Sequence, residues 1–284
     1  ILEKLFNERN LPKTNTNISL EHFYHHNFLD QTCLLVNYIS NTLIRKIINS
    51  FINKLRGKKI NRWSIAYSKS KPLENSLKDY FEVPNLKGRF FADPFLFNFN
   101  DKNYIFVEDY FFNEEKGKIS VLSISDTGEK FLGVVLEEHF HLSFPYVFRE
   151  GGKIYMVPES CQSNQIRLYE CLDFPMKWVH KFTLMNNVSA VDTILIKKKN
   201  VWYLLTNICS AKINDHCSEL HIFYSDNLFT NKWIPIKSGN PVIFNSLKAR
   251  NGGIFEKGGD IYRINQVLNL NGYGNAFDIN IIEN

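Results

Sequence analysis

No pair among the five cysteines (Cys33, Cys161, Cys171, Cys209, Cys217) has CxxC spacing, and their number is odd. A disulfide framework or a zinc ribbon needs paired, closely spaced thiols, so scattered single ones point to a reducing, cytoplasmic setting and to no resident metal. No apolar run is long enough to cross a bilayer, and no secretory leader opens the chain. Charge of one sign is also scarce. The net charge is +5 over 284 residues, and much of the excess sits in Arg45, Lys46 and the stretch 54–59. That is too local to argue for a nucleic-acid-binding face. Aromatic residues are plentiful, with 24 Phe and 13 Tyr, which suits sheet packing and sugar stacking alike. Ile1 begins mid-pattern, which reads as a piece of a longer polypeptide.

Two regions differ in character. Residues 1–60 form the first: an Asn-rich polar linker to about residue 18, then a segment in which Phe23, Phe28, Leu34, Leu35, Tyr38, Ile39, Leu43, Ile47, Phe51 and Leu55 keep a broadly helical period. It reads as a helical connector with a basic end favourable to the helix dipole. Contact of the stretch 43–59 with a membrane surface is the less favoured alternative. His22, His25 and His26 share helical spacing and read as a solvated face.

Residues 61–284 form the second region, built of short strands. One pattern recurs four times in it: an apolar strand, a polar turn, then a strand rich in aromatic and branched residues. The turns fall at 98–103, 149–153, 197–200 and 256–260. With Asp93, Phe144, Asp192 and Gly252 as register marks, successive offsets are 51, 48 and 60 residues. The second strands end at Glu108, Glu159, Asn207 and Gln266, which lie 15, 15, 15 and 14 residues after those marks. In an antiparallel hairpin the start of strand one and the end of strand two share an edge. If the repeats are arranged around an axis, Asp93, Glu108, Glu159, Asp192, Asn207 and Gln266 therefore face one mouth. Third strands are expected within 119–124, 166–169 and 220–224, with outer strands near Trp178 and Trp233.

Units of about fifty residues with four strands each are the signature of a β-propeller. The expected fold is all-β, a five-bladed β-propeller with an N-terminal α-helical linker. Four blades are visible in the repeats. The fifth is expected from strands near Trp63–Ser68 together with C-terminal residues clasping the ring.

Phe91-Ala92-Asp93-Pro94-Phe95 opening a blade, followed about a hundred residues later by Val191-Asp192-Thr193, is similar to the five-bladed propellers of glycoside hydrolase family 43. A nearer resemblance is to the propeller N-terminal to the transferase domain of glucosamine inositolphosphorylceramide transferases. It is carried by those residues and by His141-Leu142-Ser143-Phe144-Pro145, Ile154 to Ser160, Asp173 to Trp178, Ser189 to Asp192, Glu219 to Asp226 and Tyr262 to Gln266. The resemblance implies further domains of a longer chain, a formyltransferase-like one among the candidates. It implies a sugar, sugar phosphate or nucleotide sugar as ligand, with no cofactor.

Within the family 43 resemblance, Asp93 would be the base that activates water, and Asp192 would orient and tune the general acid. Inverting hydrolysis needs acid and base about 6.5–9.5 Å apart with a water between them. The acid should be a Glu opening the next blade, but this chain reads Ala249-Arg250-Asn251-Gly252-Gly253 there. Glu159 or Glu108 would have to replace it. Arg250 and His141 suit an anionic ligand instead. The expected site is thus Asp93, Asp192 and Glu159 as candidate catalytic carboxylates, with Glu108, His141, Arg250, Arg263 and Gln266 binding the ligand. Recognition without turnover, a hydrolase or phosphorylase-like enzyme, and a partner-binding scaffold all stay open. Cys209, His216, Cys217 and His221 match no zinc pattern.

Overall fold

The computed structural model describes residues 62–69, 80–210, 215–268, 274 and 276–282, with seven further positions between 32 and 51. Those seven, Thr32, Val36, Ile44, Ile47, Ile48, Ser50 and Phe51, are helical. The rest of the expected N-terminal linker and helix lies outside the described residues. The chain divides into two compact units, one of Ile60–Asn187 and one containing Val188–Asn284.

The first unit opens with a two-stranded ribbon, β1 (Ile65–Tyr67) paired antiparallel with β2 (Phe81–Val83). Two four-stranded antiparallel sheets follow. One runs β3 (Arg89–Phe99), β4 (Lys102–Phe111), β5 (Lys116–Ser125) and β6 (Gly128–Leu136) in sequence order. The other is built the same way from β7 (Ser143–Glu150), β8 (Lys153–Glu159), β9 (Gln165–Asp173) and β10 (Lys177–Asn186). The period-2 pattern of β4 sorts its side chains between two apolar layers. Tyr104 and Phe106 face a cluster with Ile119, Val121, Leu142, Met156, Tyr169 and Trp178, which joins the two sheets. Ile105 and Val107 face the opposite way, against Ile65 and Val83 of the ribbon and Phe91 and Leu122 of their own sheet. Inner strands such as β5 are buried on both faces, from Gly117 to Leu122 in its case, whereas the outer strands carry more exposed positions.

The second unit holds β11 (Ala190–Lys198), β12 (Val201–Ile208), β13 (Glu219–Ser225), β14 (Ile234–Pro235) and β15 (Ile243–Phe244), the last two both pairing with β13. Its other sheet is three-stranded: β16 (Asn251–Lys257), β17 (Asp260–Gln266) and β18 (Phe277–Ile282).

The fold is all-β and of the propeller type. The count differs from expectation: the described residues hold four blade sheets, not five. The strand near Trp63–Ser68 exists as β1, but its partner is β2 rather than a C-terminal strand. The C-terminal residues are already used, because β18 continues the sheet of β16 and β17 in unbroken register from Gln266↔Phe277 to Ile261↔Ile282.

All four inner hairpins close by a two-residue turn with positive φ at both positions: Asn100-Asp101, Gly151-Gly152, Lys199-Asn200 and Gly258-Gly259. Such type I′ turns match the right-handed twist of the flanking strands, and Asn and Gly reach positive φ at least cost.

Candidate functional site

A β-bulge sits just inside the start of each opening strand, between Ala92 and Phe95, Ser143 and Tyr146, Val191 and Ile194, and Asn251 and Gly253. In the first three the register mark itself takes the left-handed conformation: Asp93 at φ 47°, Phe144 at 46° and Asp192 at 51°. That region opposes Cβ to the following carbonyl; Asp tolerates it through its short polar side chain, while for Phe it is strained. A bulge bends its strand and re-aims the side chain it carries. The repeat therefore has a geometric cause.

The fourth register mark needs correcting. Asp93, Phe144 and Asp192 each precede the last residue of their strand by six positions, and in β16 that place belongs to Asn251, not Gly252. With Asn251 as the mark, the interval to Glu108, Glu159, Asn207 and Gln266 is fifteen in every blade. A bulge with one residue fewer outside the pairing produced the apparent fourteen.

The re-aimed carboxylates reach the next blade. Asp93 Oδ2 accepts the backbone N–H of Phe144 at 3.3 Å. Asp192 Oδ2 accepts from Arg250 Nε at 2.7 Å, and its backbone carbonyl accepts from Asn251 Nδ2 at 2.7 Å. Asp192 is only 1% exposed, and its other oxygen, Oδ1, is buried without a hydrogen-bond partner. A buried charge requires compensation. Arg250 supplies it on one oxygen and leaves the other buried without a partner.

Around this pair stand His216, whose Nε2 lies 2.8 Å from Ser189 Oγ, and Cys217, whose sulfur accepts from Arg250 Nη1 at 3.5 Å. Burial, and after it the charge of Arg250, pushes the His216 pKa down, which favours the neutral ring. Sequence reasoning missed Ser189 and His216 as members of this group. The loop that carries His216 offers no periodic signal, and only the sheet topology brings it back to Ser189.

Beneath lies a buried polar knot. Asn207 and Asn251 are fully buried. Asn207 Nδ2 donates to the carbonyls of Glu219 and Ala249, both at 2.8 Å, and its Oδ1 accepts the N–H of Asn251. Arg263, 1% exposed, donates Nε to Asn251 Oδ1 at 2.7 Å, Nη1 to the carbonyl of Lys248 at 3.0 Å and Nη2 to that of Ala249. Burial lowers the Arg263 pKa to about 10. Its guanidinium thus fixes the backbone on which Arg250 stands. Gln266 Nε2 donates to the Asn251 carbonyl at 2.8 Å, and its N–H donates to the Arg250 carbonyl.

The first unit carries its own polar group at the equivalent end of its sheets. Buried Glu108 has Oε1 3.5 Å from His141 Nε2. His141 Nδ1 accepts the N–H of Gly117 at 2.9 Å, so the neutral ring carries its proton on Nε2, aimed at Glu108. Burial lowers the His141 pKa. Gly117 is required there, because a Cβ would run into the carbonyl of Leu142 and the His141 ring. Half-buried Glu159 pairs across the sheet with Ser143, beside the Phe144 bulge. Among the described residues no group of three His, Cys, Asp or Glu is placed to hold a metal. Cys209 Sγ instead accepts the N–H of Asp215, and His221 pairs with Glu219 at 2.9 Å.

Residues 58–284 match the family described as glucosamine inositolphosphorylceramide transferase 1, N-terminal. The chain belongs to that family. It is 34% identical over 209 residues to glucosamine inositolphosphorylceramide transferase 1 of Arabidopsis thaliana, covering 72% of this chain and 27% of the relative. It is 35% identical over 184 residues to the protein of that name from Oryza sativa subsp. japonica, covering 62% and 24%. The chain thus spans about a quarter of the length of these curated relatives.

Among solved structures, a thermostable family-43 glycoside hydrolase superposes with a TM-score of 0.53 at 16% identity, over 72% of this chain and 78% of the other. A family 43 β-1,3-galactosidase gives 0.56 at 10%, over 78% and 51%, and a levansucrase variant of B. megaterium gives 0.54 at 14%, over 80% and 74%. At these identities the likeness is one of fold. The family match contains every residue of both polar groups and excludes the helical positions 32–51.

Proposed function

We propose that this domain recognises a sugar carrying an anionic group, a sugar phosphate or nucleotide sugar, within a transferase-related protein of glycan or glycolipid assembly. The observation that carries the reading is the Asp192–Arg250 couple, a buried carboxylate with one oxygen held and one unpartnered, beside a guanidinium. In this reading Arg250 donates to the anion, Asp192 holds the guanidinium in that position, and Ser189 with His216 completes the polar wall. Gln266 and Arg263 position Arg250 through the backbone they hold. Glu108 and His141 form a second polar group in the other unit, and they, with Asp93 and Glu159 of that unit, are proposed by themselves as ligand-binding positions. The name of the curated relatives supports a transferase context, and the family 43 fold likeness supports a carbohydrate. The ribbon β1–β2, packed face-on against the first blade, is proposed as the described part of a fifth blade.

Hydrolysis is not favoured, because Arg250 occupies the place of the general acid and holds the Asp192 carboxylate. The test is calorimetric titration of glucose, glucose 1-phosphate and UDP-glucose into the wild type and into Asp192→Asn and Arg250→Ala, with circular dichroism confirming the fold. Losing a charge-assisted hydrogen bond costs about 1.5–3 kcal/mol, so Arg250→Ala should weaken the phosphorylated ligands roughly ten- to a hundredfold and narrow their advantage over glucose. Asp192→Asn should weaken all ligands that bind. Unchanged affinities in both variants would remove the site.

A further inference from the structure

Four helical positions outside the matched family region present a single apolar stripe. Ile44, Ile47, Ile48 and Phe51 follow the i, i+3, i+4, i+7 spacing of one helix face and are 46%, 69%, 43% and 65% exposed. Leu55 continues the spacing in sequence. Large apolar side chains lined up in water at this period call for an apolar phase to cover them.

The charge pattern identifies that phase. Between Asp30 and Glu74 the sequence contains no carboxylate residue, while Arg45, Lys46, Lys54, Arg56, Lys58 and Lys59 all fall in the stretch of sequence that carries the stripe. An exposed apolar helix face within a purely basic stretch of sequence suits a bilayer interface, where apolar side chains enter the acyl boundary and cations meet the headgroups. Nucleic acid would accept the charge but not the isoleucines. We infer that this segment docks on an anionic lipid surface. The inference is independent of the ligand reading above.

The test is flotation of the full chain with vesicles of phosphatidylcholine alone and of phosphatidylcholine mixed with phosphatidylserine. The chain should float with the mixed vesicles, and added salt should release it. Ile47→Asp with Phe51→Asp, both at exposed positions, should lower vesicle affinity more than about a hundredfold, from the apolar area lost. Lys54→Gln with Arg56→Gln should lower it about twenty-fivefold, from roughly a fivefold loss per charge. Equal binding to both vesicle types, or undiminished flotation of the aspartate variant, would overturn the proposal. So would a self-association, broken by the aspartate pair, in a chain that ignores vesicles, since it would assign the stripe to a second copy.

Discussion

Asp93 and Asp192 share one place in the repeat and one backbone conformation, yet their carboxylates do different things. Asp93 takes a backbone N–H of the next blade, whereas Asp192 takes a guanidinium and keeps an oxygen unpartnered. The difference comes from the residue that precedes the following bulge, Ser143 in one case and Arg250–Asn251 in the other. His141 makes the residue scale testable through pH. Its folded pKa is lowered by burial, as are those of His180 and His216. As pH falls through the ordinary histidine value of about 6.5, the unfolded chain takes up protons that the folded one refuses, so stability present above that value is lost on acidification. The urea midpoint should therefore drop between about pH 7.5 and pH 5.5, and less in His141→Gln than in the wild type. An equal drop in both would show that His141 is not among the groups responsible. Arg263 illustrates what a sequence hides. Its charge suggested a ligand contact, but burial depends on three carbonyl acceptors supplied by Lys248, Ala249 and Asn251, none of them a side-chain signal except the last.

The hairpins were the most legible elements, because alternating apolar residues bracket turns of Asn, Asp and Gly, and those residues are what positive φ requires. The bulges were not legible. A bulge adds a residue outside the pairing without any compositional mark, which is why Gly252 stood in for Asn251 as the fourth register mark. Lys199-Asn200 is the one inner turn whose first residue is poorly suited to its φ of 48°. Changing it by Lys199→Asn with Asn200→Gly should raise stability by about 1 kcal/mol, since the left-handed region costs an ordinary side chain about that much. A shift of the urea midpoint upward at unchanged slope would show it. A downward shift would mean that Lys199 makes contacts worth more than its strain.

For the whole molecule, the all-β propeller class and four of its blade sheets followed from the fifty-residue repeat. The expected fifth is not among the described sheets: β1 pairs with β2, and the C-terminal residues that were expected to clasp the ring form β18, the third strand of the last blade. Membership of the glucosamine inositolphosphorylceramide transferase 1 N-terminal family sets the context, and the Asp192–Arg250 couple sets the chemistry proposed for it. The most direct measurement is a thermal-shift screen of the full chain against matched sugars, sugar phosphates and nucleotide sugars, with each ligand recovered and weighed by mass spectrometry. A ligand bound only by the folded state raises its apparent stability. The account expects an anionic sugar to raise the melting temperature, its neutral counterpart to do so less, and the ligand to be recovered intact. No shift across the panel, or neutral sugars as effective as their phosphates, would contradict it.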